Sequence, residues 1–203
     1  MVGTAGGRPR DKHLDSAILA AARHLLAEGS YNDLSMESVA AHAGVGKKTL
    51  YRRWSSKASL VAEAVVDAYG REGSFHVANS GDLAADLRSW LVEHAEFIDN
   101  PVNAALIRAL IAASAAQPVD NEDLHRKLSV PQHAGLRVRL QAAVADSSLD
   151  ADADIDAIAD AVIGTLLLRV LNPPPRRGHR PEEFDGLINA LLRGSNTLQH
   201  LDP

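Results

Sequence analysis

The chain has 203 residues, 46% of them apolar but only 4% aromatic, and a formal net charge of −5. That length suits one large domain or two small ones, and this apolar content with so little net charge excludes an intrinsically disordered chain. Having no cysteine, the chain can form no disulfide, thiolate zinc site or cysteine nucleophile, and it fits a reducing compartment. Counts of 34 Ala and 26 Leu, the best helix formers among apolar residues, predict an all-α fold. Residues 1–10 hold no apolar segment of the signal-peptide kind, and the longest apolar run, residues 161–168, is too short to cross a bilayer. A soluble, cytoplasmic protein without a membrane partner is expected.

Charge is unevenly spread. Residues 1–60 hold nine Lys and Arg against five acids, a net of +4, and the remaining 143 residues carry −9. A basic head on an acidic body fits a polyanion-binding unit joined to a non-binding one, although solvated faces can cluster charge in the same way.

In chain order, residues 1–10 with Gly3, Gly6, Gly7 and Pro9 read as a flexible basic arm. A helix is predicted over about 11–28, with Leu14, Ile18, Ala21, Ala22 and Leu25 on one face and Gly29 as its C′ residue. Ser35 should cap a short helix to about residue 43 that buries Met36, Val39 and Ala40, with Glu37 in its first turn. Gly44 turns the chain and Val45 plugs the corner. A second short helix follows over about 47–54, with Leu50 and Trp54 inward. Ser55-Ser56 breaks it, and a long helix starts near Lys57 with Leu60, Ala64, Val65 and Ala68 in register. Asp82 can cap a helix through residue 98, and Pro101 suits the first turn of the next. Residues 121–146 read as helical but interrupted at Pro131, 155–171 as an amphipathic-to-apolar helix stopped by Asn172 and three prolines, and 182–198 as the last helix.

Two short helices around a Gly-bearing turn make a helix-turn-helix pattern. Small Ala40 and Gly44 would let the helices approach, while Val39, Val45 and Leu50 would fix their crossing. Lys47, Lys48, Thr49, Tyr51, Arg52 and Arg53 are then left on the outer side of the second helix, whose N-terminal residues would meet base edges in the major groove. An ordinary helical hairpin with a solvated basic face has the same spacing.

The stretch Ser35–Lys57, SMESVAAHAGVGKKTLYRRWSSK, resembles the DNA-binding region of TetR-type transcriptional regulators, as does the preceding helix with its Ala27–Tyr31 ending. The resemblance implies a three-helix head that docks residues 48–52 in the major groove. Tyr51 and Lys57 match positions that grip phosphates, Thr49 one that reaches base or backbone, and Leu50 and Trp54 packing positions. Arg8, Arg10, Ser35, Lys47, Lys48, Thr49, Tyr51, Arg52 and Lys57 are the candidate DNA contacts. Two departures stand out: Gly46 where Ser or Ala is usual, and Lys48 where a small residue is common. The arm Gly7-Arg8-Pro9-Arg10 resembles the minor-groove core of AT-hooks, although a solubilising tail fits it equally.

Similar regulators are homodimers paired through their last two helices. The resemblance therefore implies a dimer face from Ile158, Val162, Leu166 and Val170 together with Leu187 and Leu191. It also implies an effector pocket in the middle helices, with Trp90, His94, Phe97, Ile107, Leu110 and Leu136 as candidate lining beside Ile98, Ile111 and Leu140; each of these also fits plain core packing. The expected division is an arm over 1–10, a helix-turn-helix DNA-binding domain over 11–56, and a ligand-binding and dimerisation domain over 57–203. The expected partners are a pseudo-palindromic duplex, a second copy of the chain and a small apolar effector that releases the DNA.

No catalytic, cofactor or metal constellation appears. Gly46-Lys47 lacks the rest of a P-loop, and Asp150, Asp152 and Asp154 lack the Gly and Glu that complete a calcium loop. Two alternatives remain at this level: a DNA-binding activator or nucleoid-type protein without an effector, and an all-helical carrier or enzyme.

Overall fold

A computed structural model describes residues 12–70, 75–116, 130–173 and 181–194. Their helices are α1 (Lys12–Glu28), α2 (Met36–His42), α3 (Lys47–Arg53), α4 (Lys57–Tyr69), α5 (Leu83–Asp99), α6 (Pro101–Ala116), α7 (Val130–Ala145), α8 (Ile155–Leu171) and α9 (Asp185–Gly194). A 3-10 turn over Pro181–Phe184 leads into α9, and no strand occurs among the described residues. The arm with Arg8 and Arg10, residues 121–129 and the stretch beyond Gly194 lie outside the described residues.

The head follows from local chemistry. Ser35 caps α2 by accepting the Ser38 N–H at 3.0 Å, and the Ser38 hydroxyl closes the capping box, so the reciprocal partner is Ser38. After α2, Val45 N–H reaches the Ala40 carbonyl and Gly44 N–H the Ala41 carbonyl, a Schellman closure with Gly44 at φ +66°. A Cβ at Gly44 would meet nothing within 4 Å. The glycine therefore serves backbone conformation and not close helix approach, which corrects the sequence-based expectation. Gly29 departs as well: it does not adopt a positive φ, and its N–H simply continues the α1 pattern to the Leu25 carbonyl. Ser56 repeats the capping box with Ser59 and launches α4.

In the body, Asp82 caps α5 by accepting the Ala85 N–H. Asn100 accepts the Val102 N–H beside Pro101 and so starts α6. Pro131 lies in the first turn of α7, where its missing N–H costs nothing. Asp154 caps α8 and Asp150 accepts the Asp152 N–H, so two of the three clustered acids have local turn roles.

Helix α1 packs against α2, α4 and α6; α5 against α6, α8 and α9; and α7 against α8. The buried residues form one cluster from Ile18 to Ile188, so head and body share a continuous core. Gly135 of α7 lies against the backbone near Phe75, where a Cβ would stand 1.9 Å from the Phe75 carbonyl oxygen. Gly135→Ala should therefore cost about 1–3 kcal/mol through forced displacement, read as a melting temperature several degrees lower. An unchanged melting curve would contradict this packing.

One charged pair is enclosed in the body. Arg139 of α7 and Asp86 of α5 are 1% and 4% exposed, and Arg139 Nε donates to Asp86 Oδ2 at 2.7 Å. The Ser80 hydroxyl and N–H also donate to Asp86, whereas Nη1 and Nη2 of Arg139 meet no acceptor.

Candidate functional site

Helix α3 is held from beneath and open above. Leu50 and Trp54 are buried, and Trp54 Nε1 donates to Glu63 Oε2 of α4 at 2.9 Å. Lys47, Lys48, Tyr51 and Arg52 are exposed together, and Thr49 is half-buried beside them. Arg53 does not join this face: its guanidinium pairs with Asp15 of α1, which turns it inward and fastens α3 to α1. Lys47 lies 3.3 Å from Glu37, whose carboxyl is held below its usual range by its own backbone N–H and by Lys47.

Two other candidates have intramolecular work. The Ser35 hydroxyl is engaged in the α2 cap. Lys57 Nζ donates to the Tyr31 carbonyl at 2.8 Å and sits over the Tyr31 ring at 4.1 Å. The Lys57 ammonium has three donors, so structural anchoring and a phosphate contact are compatible. Glu63 and Asp15, which fix the head, carry no signal in the sequence that sets them apart from the other charged residues of α4 and α1.

A cavity of about 130 Å³ opens in the body. Val65 and Tyr69 of α4, Trp90 and Ile98 of α5, and Ile107, Leu110 and Ile111 of α6 line it, with Gln132 of α7 and Ile163, Leu166 and Leu167 of α8. Of the candidate lining, Trp90, Ile98, Ile107, Leu110 and Ile111 are brought together there. His94 is instead buried against Trp90, with ring centroids 3.8 Å apart and Nδ1 donating to the Trp90 carbonyl at 2.8 Å. Phe97 stacks on Tyr69 at 3.7 Å, and Leu136 and Leu140 are fully enclosed in the core. Val65, Tyr69, Gln132 and Ile163 are additions from the structure; an isolated Tyr on the α4 face, in so aromatic-poor a chain, was the available signal. A larger cleft of about 240 Å³ lies where the end of α1 meets α6, but Ser30, Asn32 and exposed Arg108 give it an open, mixed wall.

The apolar stripe expected to face a second copy is placed differently. Ile158, Val162, Leu166 and Val170 are buried within their own protomer, at 0–6% exposure, as part of its core. The exposed side of α8 carries Gly164, Leu168 and Leu171 instead, with the last two 59% and 55% exposed. Leu187 and Leu191 of α9 are half-buried.

A short α2, a Schellman turn and a capped, outward-facing basic α3 on a larger helical body define a helix-turn-helix DNA-binding protein. Residues 18–64 match the family model described as bacterial regulatory proteins, tetR family, and residues 77–184 match the tetracyclin repressor-like C-terminal domain. The chain is 33% identical over 188 residues to an uncharacterized HTH-type transcriptional regulator of Mycobacterium tuberculosis, covering 89% of each. It is 30% identical to the DNA-binding transcriptional repressor TetR of Mycobacteroides abscessus, over 91% of this chain and 96% of that one. Among solved structures, the TetR family transcription regulator SCO0332 aligns with 26% identity, a TM-score of 0.65 and coverage of 90% and 98%. GusR of Salmonella enterica shares the fold at a TM-score of 0.74 and 20% identity, covering 91% and 97%. The chain belongs to the TetR family of transcriptional regulators, and ligand-responsive repression is the role typical of that family. No helix among the described residues is long and apolar enough to cross a membrane.

Proposed function

We propose that this regulator is a cytoplasmic, non-enzymatic homodimer that represses from a pseudo-palindromic operator and lets go when a small apolar effector fills the α4–α8 cavity. One observation carries the reading: α4 touches both ends of the device. Near its C-terminal end Val65 and Tyr69 wall the cavity, and Glu63, two residues before Val65 and six before Tyr69, holds the recognition helix through Trp54. Arg23 pairs with Asp67 of the same helix, so α1 moves with it. A helix of 13 residues is about 20 Å long. A small tilt at the cavity therefore displaces the head.

In this reading the arm is residues 1–10, the DNA-binding unit runs to residue 56 and the remainder serves effector and partner. The partner face is the outer stripe of α8, Ala157, Ala161, Gly164, Leu168 and Leu171, where the small residues permit close approach of the symmetry-related helix. Lys48, Thr49, Tyr51 and Arg52 contact the operator from α3, with Lys47, Lys57 and the Ser35 end of α2 on flanking phosphates and Arg8 and Arg10 in the minor groove. Lys57→Ala should weaken binding to every duplex and reduce the salt slope by about one unit, and loss of the Tyr31 contact should lower the melting temperature too. Lys48→Ala should instead change which duplex is preferred. Equal losses on all duplexes from both variants would contradict this division of labour.

The release step is tested by linkage. Operator affinity is titrated by fluorescence anisotropy with and without a saturating cavity ligand, and ligand affinity with and without operator. The account expects the same factor in both directions, about 5–150-fold. Ligands that occupy the cavity and leave operator affinity unchanged would contradict it.

A further inference from the structure

The cations at the start of the recognition helix are not equally available to DNA. Lys47 and Lys48 are adjacent and exposed, but Lys47 Nζ lies 3.3 Å from Glu37 Oε1 of α2. Among the described residues, Lys48 and Arg52 have no carboxylate within ion-pair distance. The Lys47–Glu37 pair stays on the surface, with its side chains 64% and 48% exposed. Helix α2 fixes the acid there: Ser35 is the cap, so Glu37 falls in the first turn, where the helix dipole favours negative charge. Its own backbone N–H, then Lys47 and more weakly Tyr51, hold its carboxyl below the ordinary range, so it is ionised at neutral pH. A phosphate gripped by Lys47 would therefore stand well within a screening length of that carboxylate, about 8 Å at physiological salt.

We propose that Glu37 is a brake on DNA binding: it masks the Lys47 charge in the free protein and so holds down affinity for duplexes of any sequence. This rests on the reading of α3 as the DNA-facing helix. Sequence-independent affinity comes from cations that replace counterions on the phosphates. A cation already neutralised by a neighbouring carboxylate gains less from that exchange. Either the pair must part, or the carboxylate is carried toward the phosphates with it. An exposed pair of this kind adds little to the stability of the head, so its consequence falls on the DNA step. Low sequence-independent affinity suits a regulator, because occupancy of one site among many competing duplexes depends on the specificity ratio and not on Kd alone.

The test uses the full-length protein and a fluorescein-labelled duplex of mixed sequence, about 30 base pairs long, titrated by anisotropy between about 50 and 200 mM salt. Glu37→Gln, Lys47→Gln, the two combined, and Lys48→Gln are compared with the parent, and circular dichroism confirms intact helices. Glu37→Gln should bind about three- to tenfold tighter, as expected when a repelling charge leaves the rim of an interface. Its salt slope should steepen by about one unit, because Lys47 is released to the phosphates. In the parent, Lys47→Gln should cost less than Lys48→Gln. Once Glu37 is replaced by Gln, the cost of Lys47→Gln should rise by about threefold or more, the non-additivity expected of groups that interact. Unchanged or weaker binding by Glu37→Gln, an unchanged salt slope, or a Lys47→Gln cost that is the same with and without Glu37 would each overturn the proposal. A clear loss in Lys48→Gln beside a silent Glu37→Gln rejects the brake alone. No loss in Lys48→Gln would remove α3 from the interface, and the brake with it.

Discussion

Asp86→Ala is expected to destabilise the chain by about 3–5 kcal/mol, because it strands the Arg139 guanidinium in the core with no acceptor for any of its nitrogens. The pair already leaves Nη1 and Nη2 unmet, so the single contact from Nε to Asp86 is what compensates the buried charge. For a chain of this size the loss corresponds to a melting temperature lower by roughly ten degrees. Replacing both partners, as in Asp86→Leu with Arg139→Met, should recover most of the stability, since the cost lies in the uncompensated charge and not in the missing bond. A thermal or urea denaturation series decides it: an Asp86→Ala chain within about 1 kcal/mol of the parent, or a double variant no better than the single, would contradict the account. Acid should produce a related loss. Burial pushes the Asp86 carboxyl up, but the Ser80 hydroxyl, Arg139 and the Ser80 N–H together outweigh it and hold the group below its ordinary value. A depressed folded value means the pair's contribution is complete above about pH 4, the unfolded range for Asp. It fades as pH falls through the lower folded value, and the Asp86→Leu, Arg139→Met variant should lack that part of the acid sensitivity.

The second large effect concerns DNA. Reversing Lys47 and Lys48 together to Glu should reduce affinity for every duplex by more than about a hundredfold, since like charges set against phosphates cost several kcal/mol. Both side chains are exposed at the start of α3, and neither enters the core, so the fold should survive. Lys47 already shares its charge with Glu37 3.3 Å away, so Lys48→Glu alone should account for the greater part of the loss. Anisotropy titrations at fixed salt, with circular dichroism to confirm intact helices, separate lost contacts from lost structure. Retained affinity in the double variant would remove α3 from the interface.

The head was legible because its determinants are local. A Ser cap, a Gly at the turn and Leu50 and Trp54 four residues apart specify α2, the corner and the inner face of α3 within twenty residues. The body was legible as helices but not as faces. Helix α8 is apolar nearly all round, so periodicity could not say which stripe turns inward. Ile158, Val162, Leu166 and Val170 entered the protomer's core, and Leu168 and Leu171 stayed outside. The cavity is contributed by five helices, and only packing brings Tyr69 and Gln132 next to Trp90. Gly135 shows the same limit: its necessity lies in the Phe75 carbonyl 60 positions earlier in the chain. The buried Asp86–Arg139 pair left a trace that could have been used, since each residue interrupts an apolar stripe, Leu83–Leu87–Trp90 on α5 and Leu136–Leu140–Ala143 on α7.

The most direct measurement is selection from a random duplex pool with the full-length protein at about physiological salt, where charge-driven non-specific binding is weak. Two recognition helices related by a two-fold axis should retain sequences that converge on an inverted repeat, with half-site centres about 34–36 Å apart or a multiple of that. Retained duplexes without a consensus, or a consensus lacking two-fold symmetry, would contradict a dimeric operator reader built on α3.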